Sequence, residues 1–299
     1  MSNVLITGTV AFDTIETPFG KVQKALGGSA TYASFAASFF SQPAIISVIG
    51  TDFPEEYKNL LKKQSINLSG IQVRDKTFHW EGFYEFDMNE AKTKKTELNS
   101  LADFRAQIPE KLKNTKYIFL ANIDPEQQLK ALSQIDCPEL VVLDTMNFWI
   151  SSRKKELMEV VKKADVFLLN DGEARQLFNT ASLVKAANEA LKLGPKAVII
   201  KKGEHGALLF TKNKHFNAPS YPLENIKDPT GCGDCFGGAF IGYLAKTKDL
   251  SESNFRKAII YGSVVASYNA EDFSLNRLTT LTMKDIEKRY KEFEEIREF

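Results

Sequence analysis

Short apolar runs recur along this chain, most of them followed by a stretch whose apolar positions repeat every three or four residues. The first run, Val4-Leu-Ile-Thr-Gly8, predicts a strand that ends at a glycine. From Thr14 to Leu26 the chain is broken by Pro18 and Gly20, which predicts a small hairpin. Gly27-Gly28 then precede Ser29-Ala-Thr-Tyr-Ala-Ser-Phe-Ala-Ala, an alanine-rich predicted helix with Ser29 as its expected N-cap. Ala44-Ile-Ile-Ser-Val-Ile49 predicts a buried strand closed by Gly50.

The pattern changes at Thr77. Thr77-Phe-His-Trp-Glu-Gly-Phe-Tyr-Glu-Phe-Asp alternates aromatic and polar residues, the period of a half-exposed strand. A turn at Asn89-Glu90 and a returning strand from Lys92 to Leu98 complete a second hairpin, and no predicted helix flanks it. The two hairpins, 14–26 and 77–99, read together as a small β-sheet projecting from the main body.

Beyond it, Tyr117-Ile-Phe-Leu-Ala, Leu140-Val-Val-Leu-Asp144, Val166-Phe-Leu-Leu-Asn170 and Ala197-Val-Ile-Ile-Lys201 predict strands. They alternate with helices predicted near 125–134, 152–163, 171–178 and 182–193. That alternation predicts an α/β fold with a mainly parallel central sheet and helices on both faces. Ligands in such folds bind beyond the carboxyl ends of the strands. There the chain places Asp13, Asn122, Asp144, Asn170 and Lys201. Thr282-Met-Lys-Asp285 predicts a capped start to a charged terminal helix.

Composition mainly excludes. Lys+Arg (39) balances Asp+Glu (38), so no net field favours nucleic acid or a membrane surface. No apolar run approaches the roughly 20 residues that span a bilayer, and the first residues lack a secretory pattern. Three cysteines suggest no disulfide framework, which makes a cytoplasmic location the expectation. The 299 residues read as a single domain.

Chemistry concentrates in Asp228-Pro-Thr-Gly-Cys-Gly-Asp234, which leads into an apolar helix rich in small residues. Gly231 and Gly233, with Cys232 between them, allow a tight turn that aims backbone N–H groups at one point. A helix N-terminus there favours an anion. Asp234, kept ionised by that field, could accept a proton from a hydroxyl while the amides neutralise a moving phosphoryl group.

Other readings compete. The loop could be a glycine-rich turn with a capping aspartate, and Cys232-Gly-Asp-Cys235 could be a redox pair. A zinc site would need further ligands, yet Cys137, His79, His205 and His215 stand at no paired spacing. The chain lacks Gly-x-x-x-x-Gly-Lys-Ser/Thr, which excludes an ordinary P-loop.

Asp228-Pro-Thr-Gly-Cys-Gly-Asp-Cys-Phe236 resembles the second signature of the ribokinase (PfkB) family of carbohydrate and nucleoside kinases, usually Asp-Thr-x-Gly-Ala-Gly-Asp. Other marks follow in the family's order: Asp13, the di-glycine Gly27-Gly28, Gly50-Thr-Asp52, Asn170-Asp-Gly-Glu173, and Lys202-Gly-Glu-His-Gly206. The resemblance implies a ribokinase-like three-layer sandwich with a small β-sheet lid, through which members often dimerise. It implies ATP and Mg²⁺, Asp234 as the base, and Gly231 to Gly233 as an anion hole.

Asp13, Gly27, Gly28, Tyr32 and Asn122 are then expected at the acceptor, and Lys201, Gly203, Gly206 and Thr230 at the nucleotide. Asn170 and Glu173 are expected to act on the metal through water, and Asp228 with Thr230 to border a monovalent cation such as K⁺. The expected acceptor is a sugar or sugar-containing molecule, with a nucleoside as the alternative. A sugar-binding protein without catalysis is disfavoured, because both the base and the anion-hole glycines are present.

Two departures qualify this. Tyr32 stands where sugar kinases of the family usually carry Asn, and Asp144-Thr-Met-Asn147-Phe-Trp149 replaces an Asp-Pro-Asn-x-Arg pattern. Losing that arginine removes a bidentate ligand for a second phosphate on the acceptor. Tyr32, Phe148 and Trp149 could stack on a base or sugar face, or simply pack.

Overall fold

The computed structural model describes residues 3–296. In chain order come β1 (Val4–Thr7), β2 (Ala11–Thr17), β3 (Gly20–Gly27), α1 (Ser29–Ser38), β4 (Pro43–Gly50), α2 (Glu55–Lys63) and β5 (Asn67–Arg74). Next are β6 (Phe78–Phe83), β7 (Lys92–Glu97), β8 (Tyr117–Leu120), α3 (Pro125–Leu132), β9 (Leu140–Leu143), α4 (Asn147–Ser152) and α5 (Lys154–Val161). Then follow β10 (Val166–Asn170), α6 (Asp171–Phe178), α7 (Leu183–Leu191), β11 (Ala197–Lys201), β12 (Ala207–Thr211) and β13 (His215–Ala218). The chain closes with α8 (Cys232–Thr247), α9 (Glu252–Asn269), α10 (Asn276–Thr279) and α11 (Met283–Ile296).

Among the described residues, nine strands form one sheet in the order β13-β12-β11-β10-β9-β8-β1-β4-β5. All neighbours from β11 to β5 run parallel, and only β12 and β13 are antiparallel. Alternate residues enter opposite cores, as strand geometry requires. Val4 and Ile6 face the layer of α1, α8 and α9, while Leu5 faces the layer of α3 to α7. The expected three-layer arrangement is present. The strand order reverses at β1, which has β8 on one side and β4 on the other, and it is at the carboxyl ends beside such a reversal that sheets of this kind bind ligands.

A second sheet has the order β3-β2-β6-β7. Both hairpins predicted from the alternation lie in it, joined by parallel pairing of β2 with β6.

Three local expectations are corrected. Gly28, not Ser29, is the N-cap of α1, because the Ser29 hydroxyl is engaged elsewhere, donating to the Asn122 carbonyl at 2.7 Å. The helix predicted over 152–163 starts later, as α5 at Lys154, and a short unpredicted helix, α4, ends just before it; the break is Arg153, where φ is −138° and ψ 36°. The edge elements α2, β5, β12 and β13 and the long helix α9 had no counterpart in the sequence reading; β5 is only partly covered, so its apolar signal is weak.

Helices α1 and α8 cross very closely. A Cβ on Gly238 would stand 2.0 Å from the Ala33 carbonyl oxygen, and one on Gly242 2.9 Å from that of Ala37. The small residues of both helices are there to let backbone meet backbone. Among the described residues, no helix is long and apolar enough to cross a membrane.

Candidate active site

Asp13 lies in the middle of β2 and is 5% exposed. Opposite it β3 holds an extra residue: the pairing steps from Asp13–Ala25 to Ile15–Val22, and Lys24 absorbs the bulge at φ 48°. The carboxylate rests against the di-glycine. The Gly28 N–H donates to its Oδ2 at 3.3 Å, and a Cβ on Gly27 would come within 1.9 Å of the same oxygen. Burial pushes the Asp13 carboxyl up to about 7; the Gly28 N–H works against this, and the charges of Asp228 and Asp234 add to it. The adjoining start of α1 is fixed to the sheet, since Thr9 and Ser29 exchange backbone-to-hydroxyl hydrogen bonds at 3.0 Å each way.

The loop from Asp228 to Asp234 forms the other wall. Asp228 is fully buried; its Oδ1 accepts the Thr230 N–H at 2.9 Å, and the Thr230 carbonyl accepts Asn269 Nδ2 at 2.8 Å. Gly231 follows with φ 76°, and a Cβ there would strike the Tyr32 ring at 2.4 Å. No side chain caps α8, so the amides of its first turn lack the partners that a capped helix would supply. Lys201 Nζ lies 3.2 Å from where a Cβ of Gly233 would stand, adding positive charge beside an end that already favours an anion.

Asp234 sits half-buried in that first turn. Burial, and then Asp144, push its carboxyl up to about 7, with Lys201 pulling it back. The sequence reading expected the helix field to keep Asp234 ionised; desolvation outweighs that field and leaves a carboxyl that titrates near neutrality.

Below the loop, the ends of β9, β10 and β11 gather charge. Lys201 donates to Asp144 Oδ2 at 2.6 Å, and the register of β10 with β11 sets Asn170 beside Lys201. Burial works against the Lys201 charge, but Asp144, Glu173 and Asp234 more than offset it, so the amine stays protonated. Burial likewise drives Asp144 up while Lys201 draws it down. Asn170 and Glu173 form a reciprocal cap on α6, each accepting the other's backbone N–H at 2.7 Å. Burial pushes the Glu173 carboxyl up to about 8, Lys201 opposing and Asp144 and Asp234 adding.

The remaining expected residues are placed as follows. Asn122 accepts the Trp149 indole N–H at 2.8 Å and donates to Met146 Sδ at 3.2 Å, forming an amide and aromatic cluster past β8. Tyr32 is 1% exposed, a wall beneath Gly231 rather than an open surface. Gly203 (φ 54°) and Gly206 (φ 79°) bracket the turn from β11 to β12, with open space around Gly203. Asp52 locks the base of the small sheet, its Oδ1 accepting both the N–H and the hydroxyl of Thr77 at 2.8 Å.

Three residues at the site carried no assigned role in the sequence reading. Asp144 showed itself as a polar residue at a strand end and as the start of a segment that departs from the family's pattern. Tyr84 was read only as part of the alternating strand, and Asn269 had no sequence signal.

The cysteines do not form a redox centre. Burial pushes the Cys232 thiol up to about 12 and the Cys235 thiol well above its ordinary value. Their sulfurs lie against the Ala266 and Tyr32 carbonyls, at 3.4 and 3.8 Å. Neutral thiols held this way lack the thiolate that exchange chemistry requires.

Comparison with known proteins bears on the family and the fold. A family model described as pfkB family carbohydrate kinase matches residues 2–278. A cytidine kinase of Thermococcus kodakarensis is 29% identical over 258 residues, covering 84% of this chain and 92% of its own. A nucleoside kinase of Methanocaldococcus jannaschii is 24% identical over 228 residues, covering 76% and 72%. The crystal structure of the Methanocaldococcus jannaschii nucleoside kinase superposes with a TM-score of 0.78 at 22% identity, covering 98% of this chain and 99% of that one. A putative ribokinase II from E. coli, in complex with ATP and Mg²⁺, superposes with a TM-score of 0.76 at 19% identity, covering 98% and 100%.

Proposed function

The chain belongs to the pfkB family of carbohydrate kinases, and from that premise we propose that it transfers the γ-phosphoryl group of ATP to a primary hydroxyl of a nucleoside. The observation that carries the reading is the pair of carboxylates, Asp13 and Asp234, brought from opposite ends of the chain to an uncapped helix N-terminus with Lys201 beside it. Asp13 orients the acceptor's hydroxyls. Asp234 takes the proton of the attacking hydroxyl, a task suited to a carboxyl that titrates near 7. The amides from Gly231 onward and Lys201 balance the charge on the transferred group.

Lys201, Gly203, Gly206 and Thr230 line the nucleotide side. The small sheet acts as a lid over a single catalytic unit, and Phe86, 83% exposed in the turn between β6 and β7, offers an apolar contact through which two copies would pair.

A Mg²⁺ ion fits beside Glu173 and Asn170, held through water. Glu173 is only 7% exposed, and its carboxyl is driven up by burial with Asp144 and Asp234 adding; a divalent cation relieves that crowding. When bound, it supplies charge neutralisation to the phosphate oxygens. A monovalent cation fits beside Asp228: its Oδ2 and the Oδ1 of Asn269 are buried acceptors without a protein partner. The protonated thiols suit a reducing cytoplasm.

A nucleoside is favoured over a free sugar for two reasons. The cytidine kinase of Thermococcus kodakarensis aligns over 92% of its length, and Trp149 with Asn122 offers a ring face and an amide for a base. ADP formation should be measured with ribose, other free sugars, sugar phosphates and nucleosides as acceptors. Turnover with a nucleoside at least about tenfold above that with free sugars is the expected result. Preference for a free sugar would overturn the nucleoside assignment, and no turnover with any acceptor would overturn the kinase reading.

A further inference from the structure

Tyr84 belongs to the small sheet but reaches the catalytic loop. It follows β6 directly, and its N–H donates to the Glu16 carbonyl at 2.9 Å, carrying the β2–β6 pairing one residue further. Its backbone is therefore held in register with the strand that bears Asp13. The phenol oxygen accepts the Thr230 hydroxyl at 3.2 Å, across 146 positions of sequence. The ring is partly exposed, yet its hydroxyl end lies within the field of Asp228, Cys232 and Asp13. Burial and those groups hold the phenol well above its ordinary range, so it stays neutral and keeps its own proton to donate.

Thr230 is the residue on which this matters. Its N–H goes to Asp228 and its carbonyl to Asn269, while its hydroxyl, also within the reach of Asp228, meets Tyr84. Gly231 comes next, at a φ of 76° that begins the turn of amides. A shift of Thr230 therefore shifts the anion-binding turn. Asp228 lies in the loop itself, and Asn269 is the last residue of α9 in the main body. Tyr84 alone of the three comes from the small sheet.

We infer that Tyr84 is a positioning residue, which ties the acceptor-bearing sheet to the phosphoryl-binding turn through the Thr230 hydroxyl. The loop is fully set only when the sheet is seated over the site. Acceptor binding at Asp13 and readiness of the turn at Gly231 are then linked by one hydrogen bond.

The test has two arms, of which only the second rests on the kinase reading. In hydrogen exchange of the free protein, Tyr84→Phe and Thr230→Val should each speed exchange of the amides in 228–234. Unchanged exchange in both variants would overturn the tie whatever the protein's activity. In kinetics, Tyr84→Phe should lower kcat roughly fivefold, the worth of one hydrogen bond, while the KM for ATP stays within about twofold. Thr230→Val should lower kcat at least as far, whatever it does to the KM for ATP, and the kcat of the double variant should be no worse than that of the poorer single one. Multiplying losses would show two independent residues and refute the coupling. Equal losses in kcat and in ATP affinity in Tyr84→Phe would show general damage and refute it too.

Discussion

The two sheets that meet at the site are built to different rules. Strands β1, β8 and β9 of the large sheet are buried at every residue, with helical layers on both faces. In the small sheet β7 is exposed along nearly its whole length, and Lys92, Lys94 and Lys95 guard its edge against stray pairing. The large sheet supplies Asp144, Asn170 and Lys201, and α8, packed on its face, supplies Asp234. The small sheet supplies Asp13 and Tyr84. On the proposed function, phosphoryl chemistry would stand on a packed interior that tolerates little displacement. Acceptor binding would stand on a sheet with a free side, able to adjust to what it covers.

The sharpest test of that division is Asp234→Asn, which should lower kcat by about 10²- to 10⁴-fold while leaving ATP affinity nearly intact. Undiminished turnover in steady-state assays would break it. Next in size, Asp13→Ala should raise the acceptor KM about 10- to 100-fold, the loss of charged hydrogen bonds, and scarcely change the KM for ATP. Equal weakening of both ligands would place Asp13 on the wrong side of the comparison.

The pH profile of kcat should rise through about 7, because the base must be deprotonated and its carboxyl is pushed up to about 7. A profile flat from pH 5.5 to 8.5 would contradict this. The smallest effect is on stability. A carboxyl whose pKa is raised on folding stabilises the fold when protonated, and loses that contribution as pH rises through the folded value near 7. Asp234→Asn should therefore melt higher than the parent at pH 8.5, by about 2 °C or more, and the gap should narrow at pH 5.5, which lies between the unfolded value of 3.8 and the folded one. A gap that is the same at both values would argue against a strained carboxyl.

Much of this was legible in the sequence, for identifiable reasons. Fully buried parallel strands such as Leu140–Leu143 announce themselves as short apolar runs, and the half-covered β6 as an alternation. The loop glycines and the di-glycine could be read because backbone geometry and close approach admit few other residues at Gly28 and Gly231. The titration of Asp234 was misjudged, because the helix field is local while desolvation depends on everything folded around it. Neither Tyr84 nor Asn269 could be given a role. Each acts on Thr230 from far along the chain, and the alternation that placed Tyr84 near a strand says nothing of what its hydroxyl meets. The Trp149 indole that fixes the Asn122 amide was legible only as an aromatic of undecided purpose.

The crossing of α1 over α8 has a consequence for how such a site can change over time. The acceptor wall starts at the first residue of α1 and the phosphoryl wall at the first of α8, and the two helices touch through peptide groups at Gly238 and Gly242. A spacing gauged by main chain does not drift when neighbouring side chains are exchanged. Acceptor preference can therefore wander through substitutions in the small sheet and around Trp149 without recalibrating the distance between base and phosphate. A single methyl at position 238, about one turn beyond Asp234, would spoil that distance for every substrate alike.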